Sequence, residues 1–305
     1  MRDKTNLLRA SKREYDLLLK KLENKEYLFR KDKYDVYFIP QYFEDEIVSK
    51  MDKDDFKSYG AGAGGELKEH KNLTPPPMSS VASSSRFCYL SLKDSDLSVF
   101  GITKGKYRRK FEQKLPISGV GGIPPHMDAY YQDDDGGYYF FECKCHEQFD
   151  EHPLLLSVSY FDKGLIVDRI DSSFFIRNKT KTNKKTGKIS IYREYDPSCF
   201  NLSMNPRFDI KQLLTHTMGI QSKIQHEKRL NKKVREIKLI YFYFIPDKVR
   251  SNADINSVIN SMIEDARKAF SSLKEKLETE ITFELYVQYS DCVETAAKNN
   301  TKRVI

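Results

Sequence analysis

The sequence lacks any long apolar run, so we expect neither a membrane-spanning nor a secreted protein. No apolar run approaches the roughly 18 residues that a membrane-spanning helix needs. The first residues, Met-Arg-Asp-Lys-Thr-Asn-Leu-Leu-Arg, lack the apolar stretch of a signal peptide. Cysteine is also scarce, with five in 305 residues, and the odd number favours a reducing cytoplasm. We therefore expect a cytoplasmic protein with no membrane partner.

The chain contains enough apolar residues to form a folded core, and it carries an excess of positive charge. Hydrophobic residues make up 39% of the sequence and aromatic residues 12%, which is sufficient for a sizeable core. The net charge is +8 and the pI is near 9.0. Because Lys and Arg replace the counterions on a phosphate backbone, this excess favours a nucleic-acid partner. A simpler interpretation is that the charge serves solubility alone.

The most informative stretch runs from His126 to residue 146 and predicts a β-hairpin. Both arms are rich in aromatic residues, which is typical of strands. Between them, Asp135-Gly136 is a strong turn signal, since both residues tolerate the positive φ of tight hairpin turns. A turn centred near Asp135 places Asp128 opposite Glu142. Because side chains alternate along a strand, Lys144 lies on the same face as Glu142.

The order Asp, hairpin, Glu-x-Lys resembles the catalytic core of the PD-(D/E)XK nuclease superfamily, which has the restriction-endonuclease-like fold. Asp128 falls on the first acid of that motif, Glu142 on the second and Lys144 on the lysine. The chain departs from the motif where Pro124-Pro125-His126-Met127 stands in place of a proline directly before the acid. The stretches Gly-Glu-Leu-Lys, Pro-Pro-Met and Ser-Ser-Ser-Arg-Phe-Cys-Tyr also look similar to an uncharacterised bacterial branch of such proteins, and this similarity runs from about residue 60 to 245.

The resemblance implies metal-dependent hydrolysis of phosphodiester bonds in DNA. Asp128 and Glu142 would hold one or two Mg²⁺ or Mn²⁺ ions, which prefer carboxylate oxygen, and the carbonyl of Cys143 would complete the set. Lys144 would orient the attacking water or neutralise charge on the phosphate. The resemblance also implies host defence or restriction as the setting, with a homodimer as a possible form. Two alternatives stay open: a non-catalytic nucleic-acid-binding or scaffold protein that kept the fold, and a nuclease directed at RNA.

A second stretch, residues 208–219, predicts an amphipathic helix that begins at Asp209 and ends at Gly219. Gln212 and His216 are four residues apart and therefore share one face of that helix. A Gln followed by such a residue, on the helix after the core strands, lies beside the metal site in several branches of the superfamily. The resemblance thus adds Gln212 and His216 to the candidate site, although a surface pair on an ordinary helix is equally compatible with the pattern.

Two further acids, Glu66 and Glu112, are candidates for an additional metal or water contact, although a solvated carboxylate is the simpler interpretation of each. The spacing of apolar residues predicts the other elements. Expected strands are 106–114, 165–170, 239–245 and 281–289. Expected helices are 4–30, one that Ser79 or Ser80 caps, 223–238 and 254–279. Residues 177–188, rich in Lys, predict either a solvated loop or a phosphate-contacting one, and the tail from 298 to 305 is expected to be frayed.

The predicted fold is therefore α/β: a restriction-endonuclease-like mixed central sheet flanked by helices. Residues 1–58 are expected to form a helical N-terminal extension and residues 59–305 the nuclease-like domain. Two other motifs are set aside. The glycines from Gly60 to Gly65 match a dinucleotide-binding spacing, but no buried strand precedes them. Cys143 and Cys145 have no second pair at zinc-finger spacing, so buried core cysteines are the better interpretation.

Overall fold

A computed structural model of the chain describes residues 28–30, 36–61, 66–68, 75–94, 96–103, 105–145, 147–182, 187, 189–290 and 301–305. Within these residues the protein is of mixed α/β class, as the sequence predicts. It has a six-stranded mixed sheet, a three-stranded antiparallel sheet, a short two-stranded hairpin and five α-helices. None of the helices in this part of the chain is long and apolar enough to span a membrane.

The strands are β1 Leu28–Arg30, β2 Val36–Phe38, β3 Tyr107–Lys114, β4 His126–Asp133, β5 Gly137–Lys144, β6 Leu155–Ser157, β7 Phe175–Thr182, β8 Ile189–Tyr195, β9 Glu236–Pro246, β10 Thr282–Ser290 and β11 Thr301–Arg303. The helices are α1 Pro40–Phe43, α2 Lys53–Ala61, α3 Ser84–Leu92, α4 Ile210–Arg229 and α5 Ala253–Leu277. A π-helical turn, Glu44–Val48, directly continues α1.

The large sheet has the strand order β11-β10-β9-β5-β4-β3. Its β3-β4-β5 half is an antiparallel meander, whereas β9 is parallel to both β5 and β10. The two central strands, β5 and β9, are apolar almost throughout and buried on both faces, as expected of strands covered by helices on both sides. Helix α3 packs on one face, where Phe87 contacts Phe242. Helices α4 and α5 pack on the other, where Tyr241 of β9 contacts Phe208, just before α4, and Phe270 of α5.

The central hairpin, β4–β5, has the predicted turn and the predicted register. Its ladder pairs Ala129 with Phe141, so Asp128 and Glu142 occupy the next opposed positions. Gly136 has a φ of +92°, which only glycine adopts readily, and a side chain there would collide with the carbonyl of Lys233. The turn is closed by the main-chain N–H of the residue after Gly136, which donates to Asp133 over 2.6 Å.

Helix α4 begins where the sequence predicts but does not end there. The main-chain N–H of Gln212 donates to the Asp209 carboxylate over 2.8 Å, which is N-capping geometry. The predicted stop at Gly219 is wrong, because the helix continues to Arg229. Gly219 instead permits close packing: a Cβ there would lie 2.6 Å from the Cβ of Leu115. Tertiary contact, rather than helix termination, explains the glycine.

Several other predicted boundaries are also corrected. The predicted helix 223–238 is divided between the end of α4 and the start of β9, and the predicted strand 165–170 is a turn of 3-10 helix, Ile166–Arg169. Ser83, not Ser79 or Ser80, caps α3 by accepting from the N–H of Arg86. The tail forms strand β11 on the edge of β10 rather than fraying at Thr301–Arg303.

The N-terminal region and the Lys-rich segment differ from expectation in part. The predicted helix 4–30 lies outside the described residues up to residue 27, and Leu28–Arg30 is strand β1. The expected extension 1–58 contains α1 and the β1–β2 hairpin among its described residues. Residues 177–182 of the predicted loop belong to strand β7, which forms an antiparallel hairpin with β8. Residues 183–186 and 188 lie outside the described part of the chain.

Candidate active site

The central hairpin brings the predicted acids and lysine together. Asp128 and Glu142 lie at opposed positions of β4 and β5, and the Asp128 carboxylate also accepts a 2.7 Å hydrogen bond from the main-chain N–H of Cys143. Glu142 is only 4% exposed. Two residues further along β5, the Lys144 ammonium is 2.7 Å from Glu142 Oε1. The three charged groups therefore form one contiguous cluster.

Helix α4 adds both of its predicted residues to this cluster. Gln212 Nε2 donates to Glu142 Oε1 over 2.7 Å, and His216 Nε2 lies 3.8 Å from Glu142 Oε2. The two side chains reach the same carboxylate because residues four apart share a helix face and α4 crosses β5 on its Glu142 side. All five residues predicted from the sequence are thus neighbours in space.

Glu112 is the third acid on adjacent strands. The register of β3 and β4 places it opposite Asp128, but the ladder omits this one pair. At this point Glu112 has a φ of +48°, in the left-handed region that residues other than glycine seldom adopt. Such strain in the middle of a strand is typical of functional sites. Glu112, Asp128 and Glu142 consequently occupy neighbouring positions across three strands.

The acids of this site outnumber the positive charge that Lys144 supplies. Burial raises the pKa of Asp128 well above its usual range, and the carboxylates of Glu142 and Glu112 raise it further. Burial likewise raises the pKa of Glu112 to about 8, with additional repulsion from Glu66 and Glu142. Glu66 is therefore close enough to act on the cluster electrostatically. Like charges grouped at a buried site are unfavourable unless a cation compensates them.

The pKa values of Lys144 and His216 shift in opposite directions. Burial alone would lower the pKa of Lys144, but the carboxylates of Glu142 and Glu147 raise it well above its usual range. Burial lowers the pKa of His216 despite the opposing influence of Glu142. Among the described residues, His216 Nδ1 is buried and has no hydrogen-bond partner. The lysine is thus held as a cation, and the neutral imidazole is favoured.

The donor set fits a hard divalent cation by its chemistry. Asp128 and Glu142 offer carboxylate oxygen, and Cys143 adds a main-chain carbonyl next to both positions. Within the described ranges, no group of three or more His, Cys, Asp and Glu side chains is arranged to hold a metal ion. A site of two carboxylates completed by water and phosphate oxygen suits Mg²⁺, which retains several waters and seldom occupies an all-protein cage.

The chain matches no protein-family model, no curated protein and no solved structure. The site is therefore interpreted from its own geometry and chemistry.

The cysteines beside the site belong to the core, as predicted. Cys143, on the face of β5 opposite Glu142, and Cys145, directly after the strand, are both buried. Cys145 Sγ lies 3.6 Å from the carbonyl of Ser83 on the α3 side. Burial raises the pKa of both thiols well above the usual range, which leaves them as neutral packing groups. The neighbouring His146 of the sequence motif lies outside the described residues.

Two contributors to the site were missed by sequence reasoning. Tyr241 on β9 pairs with Glu142 in the parallel ladder, and its buried hydroxyl has no hydrogen-bond partner in the described part of the chain. His152 Nδ1 lies 3.4 Å from Asp209, the residue that caps α4. Tyr241 was hidden within a continuous apolar run, and His152 lies in a segment without periodicity, so neither carried a local signal.

Proposed function

We propose that the chain is a metal-dependent DNA endonuclease of the PD-(D/E)XK, restriction-endonuclease-like superfamily. The observation that carries the proposal is the contact of Lys144 and Gln212 with the same oxygen of Glu142, each at 2.7 Å, beside the opposed Asp128. Two segments that are distant in sequence, the β4–β5 hairpin and α4, converge on one carboxylate. A structural ion pair would need only Lys144 and Glu142, so the convergence supports a site.

The architecture supports the same proposal. The resemblance implies an acidic hairpin at the centre of a mixed sheet with helices on both faces. The hairpin β4–β5 occupies that place, with α3 on one side and α4 on the other. Catalytic groups on central strands and on a packed helix are held more rigidly than groups on loops.

The proposed roles follow from the contacts. Asp128 and Glu142 are the metal ligands, assisted by the carbonyl of Cys143. When bound, a Mg²⁺ or Mn²⁺ ion would supply an acidified water and stabilise charge on the phosphate oxygens. The main-chain N–H of Cys143 fixes the orientation of Asp128, since it donates to one carboxylate oxygen.

Lys144, Gln212 and His216 act around the two acids. Lys144 is 12% exposed and projects its ammonium at the carboxylates, where it would neutralise the developing charge of the transition state. Gln212 is a positioning residue, because its amide holds Glu142 Oε1 from the helix side. His216 borders the second oxygen of Glu142 at 3.8 Å. Glu112, opposite Asp128, is the proposed additional acid.

DNA is the proposed substrate because the chain carries a net charge of +8. Host defence or restriction is the proposed setting. Cutting both strands of a duplex generally requires two active sites, so a homodimer is part of the proposal.

The test is cleavage of supercoiled and linear DNA by wild type and by Lys144→Ala, with Mg²⁺ or Mn²⁺ and with EDTA. We expect metal-dependent cutting by wild type and a loss of about 10²- to 10⁴-fold in Lys144→Ala. Lys268→Ala is the matched control, because that lysine lies 44% exposed on α5, and it should cut like wild type. Circular dichroism confirms that each variant is folded.

Cutting that is equal in wild type and Lys144→Ala would contradict the proposal. Inactivity of both proteins, with intact DNA binding, would favour the non-catalytic nucleic-acid-binding protein. Cleavage of RNA but not DNA would move the assignment to an RNA-directed nuclease.

A further inference from the structure

One hairpin carries most of the net positive charge of the protein. We define the basic arm as residues 175–195, which comprise β7, β8 and their connection. The arm contains seven Lys and Arg residues and one Glu, a net charge of +6 out of +8 for the chain. The rest of the chain has 45 basic residues against 43 acidic ones and is nearly neutral. The arm is therefore a strong focus for the long-range attraction of a polyanion.

The arm is also unusually open to solvent. Seven of the eight residues of β7 are exposed, including residues on both faces of the strand. In the small sheet, whose order is β6-β8-β7, β7 is an edge strand and leaves one row of main-chain groups unpaired by the sheet. A hairpin with so little buried surface gains little from folding by itself. Its exposure on both faces therefore indicates a surface that is kept available for a partner.

The base of the arm is fixed to the body of the protein. Tyr195 at the end of β8 is 5% exposed and stacks on Phe161 with ring centroids 5.7 Å apart. The Arg193 guanidinium also stacks over the Phe161 ring, 4.3 Å from the ring centre. The main-chain N–H of Tyr195 donates to the carbonyl of Leu154, which ties β8 to the chain leaving the central sheet. The arm is thus presented on a rigid base.

The register of the arm separates two chemically different faces. Arg177, Lys179 and Lys181 share one face, opposite Glu194, Tyr192 and Ser190 of β8. Glu194 pairs with both Arg177 and Lys179 at 2.6 Å, so one carboxylate serves two cations. Lys181 has no acidic partner in the described ranges. The sequence adds Lys184, Lys185 and Lys188 at the connection, whose structure lies outside those ranges.

We infer that the basic arm is a DNA-binding element that contacts the phosphates of a duplex through the face of Arg177, Lys179 and Lys181. This inference rests on the proposed function for its choice of DNA among polyanions. Cations two residues apart on one strand face are about 6.5–7 Å apart, which is close to the spacing of successive phosphates along one DNA strand. A two-stranded ribbon is also narrow enough for the major groove, which is about 12 Å wide.

Pairing of the exposed edge with a second copy of the chain is the main alternative use of β7. Two features disfavour it. Lysine on an edge strand is a common device against edge-to-edge pairing. Two arms of charge +6 would also repel each other at close approach. The charge of the arm is complementary to a polyanion and not to itself.

The test is DNA binding by the full chain in EDTA, where no cleavage occurs. Fluorescence anisotropy of a labelled duplex is measured over a series of salt concentrations for wild type and for the triple variant Arg177→Gln, Lys179→Gln, Lys181→Gln. We expect the triple variant to bind roughly 10- to 100-fold more weakly at physiological salt, with a salt slope shallower by about 2 to 3. A separate cleavage assay at saturating DNA reports on the proposed catalytic site, so the two ideas fail independently.

The control removes the same number of positive charges from another exposed surface. The control variant carries Arg267→Gln, Lys268→Gln and Lys274→Gln on the exposed side of α5. Its loss of affinity should be within about twofold of the loss expected from removing a single phosphate contact. Because the triple arm variant leaves Glu194 without its partners, Lys181→Gln is measured as well, since it breaks no ion pair. It should reduce the salt slope by about 1 without changing the melting temperature.

If the arm variant and the α5 control weaken DNA binding equally, the inference is overturned, because affinity would then depend on the net charge and not on where the charge lies. Tighter binding of the full chain to RNA or to anionic vesicles than to duplex DNA would also overturn the inference. So would an arm variant that dissociates a dimer and leaves DNA affinity unchanged.

Discussion

The protein contains two antiparallel hairpins of similar length that differ in almost every physical respect. In β4–β5, most side chains are buried and the charged groups are chiefly acids. In β7–β8, most side chains are exposed and the charged groups are chiefly bases. The first lies inside a six-stranded sheet, whereas the second ends at a free edge.

The surroundings of each hairpin determine the role that its charged side chains can have. Around Glu142, burial removes water, so a nearby amide and ammonium act strongly on the carboxylate. Around Lys181, water and salt screen the charge, and its use is limited to attracting a partner. We therefore assign chemistry to the buried hairpin and binding to the exposed arm.

The largest expected effect separates these two roles. Asp128→Asn should reduce the cleavage rate at saturating DNA by about 10³-fold or more, because it removes a proposed metal ligand. Its affinity for DNA in EDTA should stay at the wild-type value. The triple arm variant should show the reverse, with weak binding and near-normal cleavage once DNA is saturating. Single-turnover kinetics and anisotropy check the prediction, and a loss of both properties in either variant would remove the distinction.

The second prediction compares the contribution of the two hairpins to stability. Phe141→Ala removes a fully buried ring whose centroid lies 5.0 Å from that of Phe100. The substitution should lower the free energy of unfolding by about 3–5 kcal/mol. Ile189→Ala in the arm removes a side chain that is 62% exposed and should change stability by about 0.5 kcal/mol or less. Urea denaturation measures both. A large loss for Ile189→Ala would mean that the arm packs against something in solution.

The third prediction concerns the helix that covers the central hairpin. Gly219→Ala should destabilise the protein by about 1–3 kcal/mol, because the new methyl group would collide with Leu115 across the helix–strand contact. It should also lower cleavage, since displacement of α4 moves Gln212 away from Glu142. Gly121→Ala is the control, as no atom lies within 4 Å of its Cβ position. Equal stability of the two variants would show that α4 does not pack closely.

The smallest effect is a pH dependence at the start of α4. Although burial opposes it, the hydrogen bond and charge of His152 lower the pKa of Asp209 from 3.8 to about 2. A lowered carboxylate pKa gives stability that is present above the unfolded value and lost as the pH falls toward the folded value. Asp209→Asn keeps the cap and should cost about 1–2 kcal/mol near pH 5. Wild type and variant should converge as the pH falls from about 4 toward 2 in thermal melts; a constant difference would contradict the assignment.

Sequence reasoning located the central hairpin because its information is local. Asp135-Gly136 specifies the turn, and alternation then fixes the opposition of Asp128 and Glu142. The start of α4 was equally readable, because an Asp cap acts within one helical turn. The approach of Gln212 to Glu142 was available only through the resemblance, since no local rule relates residues 70 positions apart.

The features that sequence reasoning missed depend on distant contacts. Gly219 suggests a helix end until Leu115 is known to lie against it. Strand β11 needs the free edge of β10, which no pattern in the tail indicates. Residues 177–188 of the basic arm were predicted as a loop because β7 has no apolar face, and an exposed strand lacks the alternation by which strands are recognised.

The central claim is that Asp128 and Glu142 form a preformed divalent-cation site, and thermal stability tests it without any knowledge of the DNA target. Wild type, Asp128→Asn and Lys268→Ala are melted over a titration of Mn²⁺ or Mg²⁺. A bound ion should stabilise wild type and the control by about 2.7 kcal/mol at a hundredfold excess over Kd, with a saturable rise in Tm. The rise should be absent in Asp128→Asn. Melting of wild type that does not respond to either ion, or an equal response in Asp128→Asn, would contradict the claim.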